Sequence, residues 1–180
     1  MRIIAGRARS RRLVAPPGQT TRPMTDRVRE SLFSSIAAWI PGSAVLDLYA
    51  GTGSMGLEAL SRGADAATFV EQDRAALAAL RQNIETIDLG GDVVAGDVGA
   101  FLSRAEGPID IAFVDPPYAV ALPSLMEIMQ KLAPLLTSDG IVIVHRRTGE
   151  DPPESVADLA LVDERVYGSA VLWRYAKEEN

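Results

Sequence analysis

The residues best suited to chemistry form a short motif, Asp115-Pro116-Pro117-Tyr118, which follows the apolar run 109–114. Proline disfavours helical geometry in the residue before it, so we expect Asp115 and Pro116 to be extended at the exit of a buried strand. Proline has no amide hydrogen, so the motif presents a carboxylate and carbonyl oxygens, which accept hydrogen bonds. These acceptors suit a planar group with N–H donors, and Tyr118 could stack on it. The alternative is a strand ending in a proline turn, with Tyr118 filling a surface groove.

A second motif lies upstream, where Gly51, Gly53 and Gly56 form the pattern G-x-G-x-x-G between an apolar run and a helical pattern. This pattern alone would equally indicate a dinucleotide site, because Glu71 follows about 20 residues later, as ribose binding requires. Asp47 separates the two possibilities, since a negative charge before the glycines opposes a pyrophosphate but stabilises an ammonium and a sulfonium. Asp47 and Glu71 therefore favour S-adenosylmethionine, with Asp47 near its amino-acid end and Glu71 on its ribose. The alternative for Asp47 is a helix cap or a turn acid.

Four acids stand near the ends of successive apolar runs that we predict to be parallel strands: Asp47, Glu71, Asp97 and Asp115. The carboxyl ends of parallel strands share one edge of a sheet, so these acids are expected to gather there, where a cationic cofactor would relieve their repulsion. Asp97 is placed to accept a hydrogen bond from an adenine amino group, with Val98 or Phe101 beside the ring. The residues expected to bind the cofactor are Asp47, Tyr49, Gly51, Gly53, Glu71, Gln72, Asp97 and Val98.

Hydrophobic periodicity predicts the elements that position these residues. Strands and helices alternate, which is typical of right-handed βαβ units and a parallel sheet covered on both faces. Two apolar runs near the carboxyl terminus flank Tyr167-Gly168, which leaves room only for the tight turn of an antiparallel hairpin. The expected fold is α/β and Rossmann-like, with a mostly parallel seven-stranded sheet that ends in this hairpin. The predicted strands are 44–48, 66–70, 92–95, 109–114, 140–145, 159–166 and 169–175, and the predicted helices are 54–62, 73–86, 98–104 and 122–135.

The amino-terminal part is expected to pack on this sheet within a single structural domain, as a ribbon and helix at 1–40 against a core at 41–180. The helix is predicted to begin with Thr25 or Asp26 as its N-cap. Its core-facing side is expected to carry Val28, Leu32, Phe33, Ile36 and Trp39, which recur at helical spacing.

Positive charge is concentrated at the same end of the chain. The net charge is −6, yet residues 1–30 hold eight arginines against Asp26 and Glu30. Arginine suits bidentate phosphate contacts, so this distribution suggests a polyanion touched by one end of the protein. Residues 2–6 and 11–15 are predicted to form two short strands of a ribbon, and the alternative is a solvated terminus. The arginines expected to contact the polyanion are Arg7, Arg9, Arg11, Arg12, Arg22 and Arg27.

Composition excludes several classes of protein. Over 180 residues, 47% hydrophobic and 23% charged residues are typical of one globular domain. No cysteine and one histidine exclude disulfides, a thiolate nucleophile and metal sites built from cysteines or several histidines. No apolar run reaches the roughly 20 residues of a membrane span, and the amino terminus lacks a signal-peptide core. We therefore expect a cytoplasmic, metal-independent protein, with a monomer as the simplest state.

With these motifs the chain resembles the bacterial small-subunit ribosomal RNA guanine-N2 methyltransferases of the RsmD type. The resemblance is carried by residues 2–6, 21–33, 45–63, 115–118 and 165–168, and the segment Thr-Arg-Pro-x-Thr-Asp-Arg-Val within 21–33 is its most specific part. It implies a Rossmann-like class I methyltransferase domain that uses S-adenosylmethionine. The implied target is the exocyclic N2 of one guanine in 16S ribosomal RNA that is already assembled with ribosomal proteins. The polyanion touched by the arginines would be this RNA.

The resemblance also implies roles for single residues. Asp115 and Pro116 would hold the guanine amino group and Tyr118 would stack on the base, so these three are the expected catalytic residues. The chain departs from the family pattern at residues 145–147, His-Arg-Arg, where a glutamate-histidine pair is expected, and at Ser169, where an acid is common. A lone histidine that ends a buried strand is expected to be structural, although with the arginines after it this segment could extend the RNA surface.

Three other functions fit parts of the pattern. An adenine-N6 DNA methyltransferase also acts on an exocyclic amine, but such enzymes usually need a further base-recognition domain, for which this chain has no room. A NAD-linked oxidoreductase follows from the glycine pattern alone. A non-enzymatic RNA-binding module could use the arginines, yet it would not need the motif at 115–118.

Overall fold

A computed structural model describes residues 1–16 and 24–178. The strands are β1 (Ala44–Leu48), β2 (Ala66–Glu71), β3 (Asp92–Ala95), β4 (Ile109–Val114), β5 (Leu136–Arg147), β6 (Ser155–Val156), β7 (Leu159–Tyr167) and β8 (Ala170–Lys177). The helices are α1 (Asp26–Ser35), α2 (Ser54–Ser61), α3 (Arg74–Ile87), α4 (Val98–Leu102) and α5 (Leu122–Leu132). The strands form one sheet in the order β3-β2-β1-β4-β5-β8-β7-β6.

The parallel half of the sheet places both motifs at one edge. β1 pairs in parallel with β2 and β4, β2 pairs with β3, and β4 pairs with β5. The chain therefore extends away from β1 on one side and away from β4 on the other, and the strand order reverses between these central strands. In open α/β sheets, ligands bind at this reversal, outside the carboxyl ends of the strands. The glycine loop, residues 49–53 after β1, and the corner, residues 115–118 after β4, both lie there.

Two apolar clusters cover the faces of the sheet and hold the edge in place. Residues of α1, α2 and α3 pack in one cluster, and residues of α4 and α5 pack in the other. Alternate residues of a strand point to opposite faces, so Val45 joins the first cluster while Leu46 and Leu48 join the second. Both faces are buried, which explains why the central strands are almost continuously apolar.

The antiparallel end of the sheet confirms the predicted hairpin. The described part of the chain contributes eight strands to this sheet, instead of the predicted seven. The additional strand is β6, which pairs Ser155 and Val156 with the start of β7. A strand of two residues is too short to show a period-two pattern, so the sequence carried no signal for it. The hairpin strand β8 lies between β5 and β7 and is antiparallel to both.

The predicted two-stranded ribbon at residues 2–6 and 11–15 is present but shorter than predicted. Its two segments pair through an antiparallel bridge between Arg2 and Arg12 and through three backbone hydrogen bonds, from Ile3 N to Arg11 O, from Ser10 N to Ile3 O and from Leu13 N to Met1 O. Beyond Ile3, the backbone amides of Ile4 and Ala5 donate to the carboxylate of Glu58 in α2, at 2.7 and 3.0 Å. The buried Glu58 carboxylate thus docks the end of the first ribbon segment on α2.

Trp39 is not a core residue, contrary to the prediction. α1 ends at Ser35, so the helical spacing that would turn position 39 inward is lost. The Trp39 side chain is 37% exposed, and the guanidinium carbon of Arg174 lies 5.4 Å from its ring centroid. The other predicted elements are present with small shifts at their ends, except that β5 begins at Leu136 and not at position 140. Within residues 1–16 and 24–178, no helix has the length and apolar character to cross a membrane.

Candidate active site

The structure brings the two motifs together around one cavity of about 270 Å³. All three predicted catalytic residues line it, and so do four of the predicted cofactor residues, Tyr49, Gly51, Glu71 and Gln72. The cavity therefore joins the loop expected to hold a cofactor to the corner expected to hold a planar amine.

The glycine loop owes its shape to residues in the left-handed region of backbone space. Tyr49, Gly51 and Gly53 have φ values of 60°, 56° and 78°. Gly53 lies outside the cavity, where a Cβ would come within 2.4 Å of Cδ1 of Leu80, so any side chain there would force the Leu80 side chain to move. Tyr49 adopts this conformation without being glycine, which is uncommon and is tolerated where the surroundings hold the backbone in place.

Asp47 anchors the start of α2, directly after the glycine loop, from within the sheet. It is 1% exposed, and its Oδ2 accepts a hydrogen bond of 2.9 Å from the amide of Gly56 in α2. Burial raises the pKa of Asp47 to about 8; the hydrogen bond from Gly56 opposes this rise, and the charges of Asp115 and Glu71 add to it. A cation in the cavity would favour the charged form of Asp47 and so offset part of this rise.

Glu71 connects the end of β2 to the glycine loop. Its Oε2 accepts from the amide of Gly51 at 2.8 Å, and its Oε1 accepts from the amides of Gln72 and Asp73, each at 2.8 Å. Both oxygens still have lone pairs, and the side chain lines the cavity, so Glu71 can also accept hydrogen bonds from hydroxyl groups of a ligand.

The corner presents a carboxylate with one occupied and one available oxygen. Asp115 Oδ1 lies 2.8 Å from Nδ1 of His145, whereas Oδ2 has no hydrogen-bond partner among the described residues. The Asp115 side chain is 36% exposed, and the next residue, Pro116, is buried. Tyr118 is 40% exposed, and the guanidinium carbon of Arg147 lies 4.8 Å from its ring centroid.

His145 was expected to be structural, and the structure places it in the cavity wall against Asp115. The sequence held a signal for this position: β5 was predicted to run parallel to β4, which makes the ends of the two strands neighbours. Val114 and Val144 are paired in the structure, so Asp115 and His145 are adjacent. Further lining residues were not among the predicted site residues, namely Met24, Ala50, Thr52, Ser54, Met55, Asp73, Ala76 and Pro117.

Besides Asp47 and Gly53, two further predicted cofactor residues lie outside the cavity lining. Asp97 is the N-cap of α4, and its Oδ1 accepts from the amide of Ala100 at 2.8 Å. The pKa of the Tyr49 phenol is raised, first by the burial of Tyr49 and second by the negative charge of the nearby Asp97. Val98 is buried in the cluster beneath α4. The structure does not bring these two residues to the cavity wall, so their contact with a cofactor stays a prediction.

The predicted RNA-binding arginines fall into two groups. Arg7 donates to the carbonyl of Leu60 and Arg11 to the carbonyl of Ile87, each at 3.1 Å, so both fasten the amino-terminal loop to the helices. Arg9, Arg12 and Arg27 are exposed, with no hydrogen-bond or ion-pair partner for their guanidinium groups among the described residues. Arg22 lies outside the described residues.

The charge of the cavity fits a cation. Asp115 and Glu71 line it, Asp47 is buried close by, and none of its described lining residues is lysine or arginine. A glycine loop after β1, a carboxylate at the end of β2 and a β8 antiparallel to β5 together define the fold of class I S-adenosylmethionine-dependent methyltransferases.

Comparison with known proteins identifies the family. The chain matches the model of the family described as "Conserved hypothetical protein 95" over residues 1–176. Ribosomal RNA small subunit methyltransferase D of Escherichia coli (strain K12) is 38% identical, over 99% of this chain and 90% of that protein. The solved structure of yhhF from Escherichia coli has a TM-score of 0.88 at 38% identity, covering 99% of this chain and 98% of that chain.

The chain therefore belongs to this family, the RsmD family of methyltransferases, and the resemblance inferred from the sequence is confirmed. The fold is shared more widely. SMU.776, solved in complex with SAH, has a TM-score of 0.66 at 17% identity, covering 83% of this chain and 48% of that chain.

Proposed function

We propose that the protein transfers a methyl group from S-adenosylmethionine to the exocyclic N2 of a guanine in 16S ribosomal RNA of the small subunit. The observation that carries the proposal is Oδ2 of Asp115, which has no hydrogen-bond partner within residues 1–16 and 24–178 and lies at the wall of an acidic cavity beside the glycine loop. The name of the Escherichia coli relative supports ribosomal RNA as the substrate.

The carboxylates in and beside the cavity fit S-adenosylmethionine. When bound, this cofactor supplies an electrophilic methyl group on a sulfonium, which becomes a neutral thioether after transfer. The carboxylates of Asp47 and Asp115 would stabilise the positive charges of this cofactor, and Glu71 has lone pairs that can accept hydrogen bonds from its ribose hydroxyls. The SAH complex of a protein with this fold is consistent with the assignment.

The corner would hold and orient the nucleophile. The N2 lone pair of guanine is delocalised into the ring, so the amine is a weak nucleophile. Asp115 Oδ2 and the Pro116 carbonyl would accept its two hydrogens, which draws the nitrogen toward tetrahedral geometry and directs the lone pair at the methyl group. Orientation of this kind, with reacting atoms about 3–3.5 Å apart, lowers the activation barrier by several kcal/mol.

Asp115 would accept the proton that the methyl transfer releases. A bond forms between N2 and the methyl carbon while the bond between sulfur and that carbon breaks. N2 then loses one proton, which Asp115 Oδ2 accepts and passes to solvent. Tyr118, exposed at the cavity edge, would stack on the base after it leaves its helix or loop, which offsets part of the cost of unstacking.

The amino-terminal arginines would contact the RNA backbone. They are few for the recognition of one base, so ribosomal proteins of the assembled subunit would complete the recognition surface. The two other chemistries, adenine-N6 methylation of DNA and hydride transfer with NAD, gain no support from the relatives.

The deciding experiment uses small ribosomal subunits from a strain that lacks this protein. The subunits, naked 16S RNA and adenine-containing duplex DNA are each incubated with the protein and labelled S-adenosylmethionine. Mass mapping of nucleosides should then locate one N2-methylguanine in the subunit RNA. Methylation of adenine, or the absence of methylated guanine from every substrate while the cofactor binds, would overturn the proposal.

A further inference from the structure

The end of β5 holds the corner at three points. His145 meets Asp115; the next residue, Arg146, donates to the carbonyl of Val120 at 2.9 Å; and the third, Arg147, lies over the Tyr118 ring. Three consecutive residues of one strand therefore contact three parts of the loop that follows the neighbouring strand. The His-Arg-Arg segment departs from the expected family pattern, yet its contacts concentrate on the residues proposed to hold the substrate.

The contact of His145 is the most specific of the three. A carboxylate only accepts hydrogen bonds, so the hydrogen in the 2.8 Å contact lies on Nδ1 of the imidazole. His145 is 5% exposed, and its Nε2 is buried with no partner among the described residues. The imidazole and the Tyr118 ring form a T-shaped pair, with 6.1 Å between the two ring centroids and 61° between the ring planes.

This contact decides which oxygen of Asp115 faces the substrate. The terminal torsion of an aspartate side chain is broad and nearly two-fold, so an unrestrained carboxylate turns easily about it. Asp115 is half-buried at the mouth of the cavity, where its own backbone does not fix that angle. The Nδ1 hydrogen bond holds Oδ1 and leaves Oδ2 directed away from His145, as the acceptor for an incoming amine.

We propose that His145 is a positioning residue, which acts through Asp115 by fixing the plane of its carboxylate. The inference rests on the proposed function. The imidazole does not touch the substrate and carries no proton in the reaction. A merely structural histidine would contribute to folding alone, whereas a positioning residue sets the turnover number and leaves cofactor affinity unchanged.

Two variants separate these roles. His145→Leu keeps a comparable volume and removes the donor, and His145→Asn places an amide donor near the position of Nδ1. We expect the leucine variant to lose about 10- to 100-fold in kcat, since a misplacement of about 1 Å can cost 100-fold. The asparagine variant should recover at least a third of the wild-type kcat. In both variants, the Kd for S-adenosylmethionine should stay within twofold of the wild-type value. The Tm of both should stay within a few degrees of the wild-type Tm.

A double-mutant cycle tests whether the effect passes through Asp115. In an Asp115→Asn background, the change His145→Leu should lower kcat by less than twofold, because the oriented carboxylate is already gone. Equal losses in the two single His145 variants, or full additivity in the cycle, would overturn the proposal.

A measurement without turnover separates this inference from the proposed function. The chain has one histidine, so the imidazole nitrogen spectrum of tag-free, ¹⁵N-labelled protein needs no assignment. We expect hydrogen on Nδ1 and none on Nε2, with a change in the Nδ1 signal in Asp115→Asn. Hydrogen on Nε2 alone would overturn the positioning role whatever the activity. If the spectrum is as expected and no RNA is methylated, the proposed function fails and the contact stands.

Discussion

Glu71 and Asp115 occupy equivalent places on either side of β1, yet their carboxylates are in different states. Leu48 pairs with Val70 of β2 and with Val114 of β4, so each acid follows a residue on the same rung of the sheet. Glu71 accepts three backbone hydrogen bonds, whereas Asp115 has one side-chain partner and an oxygen with none among the described residues.

The difference comes from the two residues that follow each acid. After Glu71 come Gln72 and Asp73, whose amides both turn back to its carboxylate. After Asp115 come Pro116 and Pro117, which have no amide hydrogen to give. The two prolines thus leave one oxygen of Asp115 without a backbone donor, whereas both oxygens of Glu71 accept from backbone amides. Glu71 therefore supports the loop and has only its remaining lone pairs for a ligand, while Asp115 has a whole oxygen available.

The largest expected effect follows from removing the available acceptor. Asp115→Ala should lower kcat by about 10²–10⁴-fold, the range of a positioned proton acceptor, because the amine loses its orienting partner. Cofactor affinity should fall far less than kcat, since Glu71 keeps its contact with the glycine loop and Asp47 keeps its contact with Gly56 of α2. Asp139→Ala, at an exposed acid of β5, is the matched control. Turnover near the wild-type value in Asp115→Ala, measured by methyl incorporation into subunits, would remove Asp115 from the proposed mechanism.

The acid that serves the loop should show the opposite profile. Glu71→Ala leaves three amides without an acceptor and removes the carboxylate from the cavity. We expect a loss of about 1 kcal/mol in the free energy of unfolding. The Kd for S-adenosylmethionine should rise by about tenfold, which is the loss of a charge-assisted hydrogen bond of about 1.5 kcal/mol. Calorimetry and denaturant unfolding measure both, with the exposed Glu85→Ala as control. A fall in kcat at unchanged cofactor affinity would contradict the division of roles.

The positions of these acids at one sheet edge could be predicted from the sequence, but their states could not. Alternating elements place strand ends together, so the meeting of the glycine loop and the corner follows from topology. The hydrogen bonds of Glu71 depend on the turn of Gln72 and Asp73, which no periodicity encodes. Asp97 shows the same limit, because an acid before a short helix can cap it or face the cavity, and here it caps α4.

The errors of the sequence analysis have local causes. Trp39 was placed in the core by extending a helix past its end at Ser35. The amino-terminal ribbon was predicted too long, because the amides of Ile4 and Ala5 pair with Glu58, a partner distant in sequence. The contact of His145 with Asp115 was missed because His145 was judged by its own strand, whereas Asp115 follows the neighbouring one.

Asp47 extends the comparison to a third acid, which is fully buried. Its pKa in the folded protein is raised by burial from 3.8 to about 8, so the unliganded protein loses stability as the pH rises through this interval. The slope is at most about 1.4 kcal/mol per pH unit, the value for one proton. Asp47→Asn should remove the slope, because its amide oxygen still accepts from Gly56 but does not ionise. Unfolding by urea between pH 5 and pH 9 measures this, with Asp139→Asn as control, and parallel profiles for wild type and Asp47→Asn would contradict it.

The arginines repeat the contrast between filled and available groups. Arg7, Arg9, Arg11 and Arg12 are all exposed, but Arg7 and Arg11 donate to helix carbonyls, whereas Arg9 and Arg12 have no guanidinium partner among the described residues. Changing Arg9 and Arg12 to alanine should weaken RNA binding and reduce its salt slope by about 1.4, at about 0.7 per phosphate contact, with cofactor affinity unchanged. Arg7→Ala should chiefly lower the Tm. Equal salt slopes for wild type and the double variant would show that these arginines do not touch the phosphates.

The smallest effect tests the role of the prolines themselves. Pro117→Ala restores an amide at the position that corresponds to Asp73, whose amide bonds Glu71. Pro117 is exposed, so the change removes little packing. If the new amide turns to Asp115, it competes with the substrate amine, and kcat should fall by about threefold, or roughly 0.7 kcal/mol, which is within the range of about 0.5–1.5 kcal/mol for the net value of one hydrogen bond. The Kd for S-adenosylmethionine should not change. Pro123→Ala, at the start of α5, is a control that adds an amide away from the cavity. A kcat equal to that of the control would mean that the prolines shape the corner without keeping its carboxylate available.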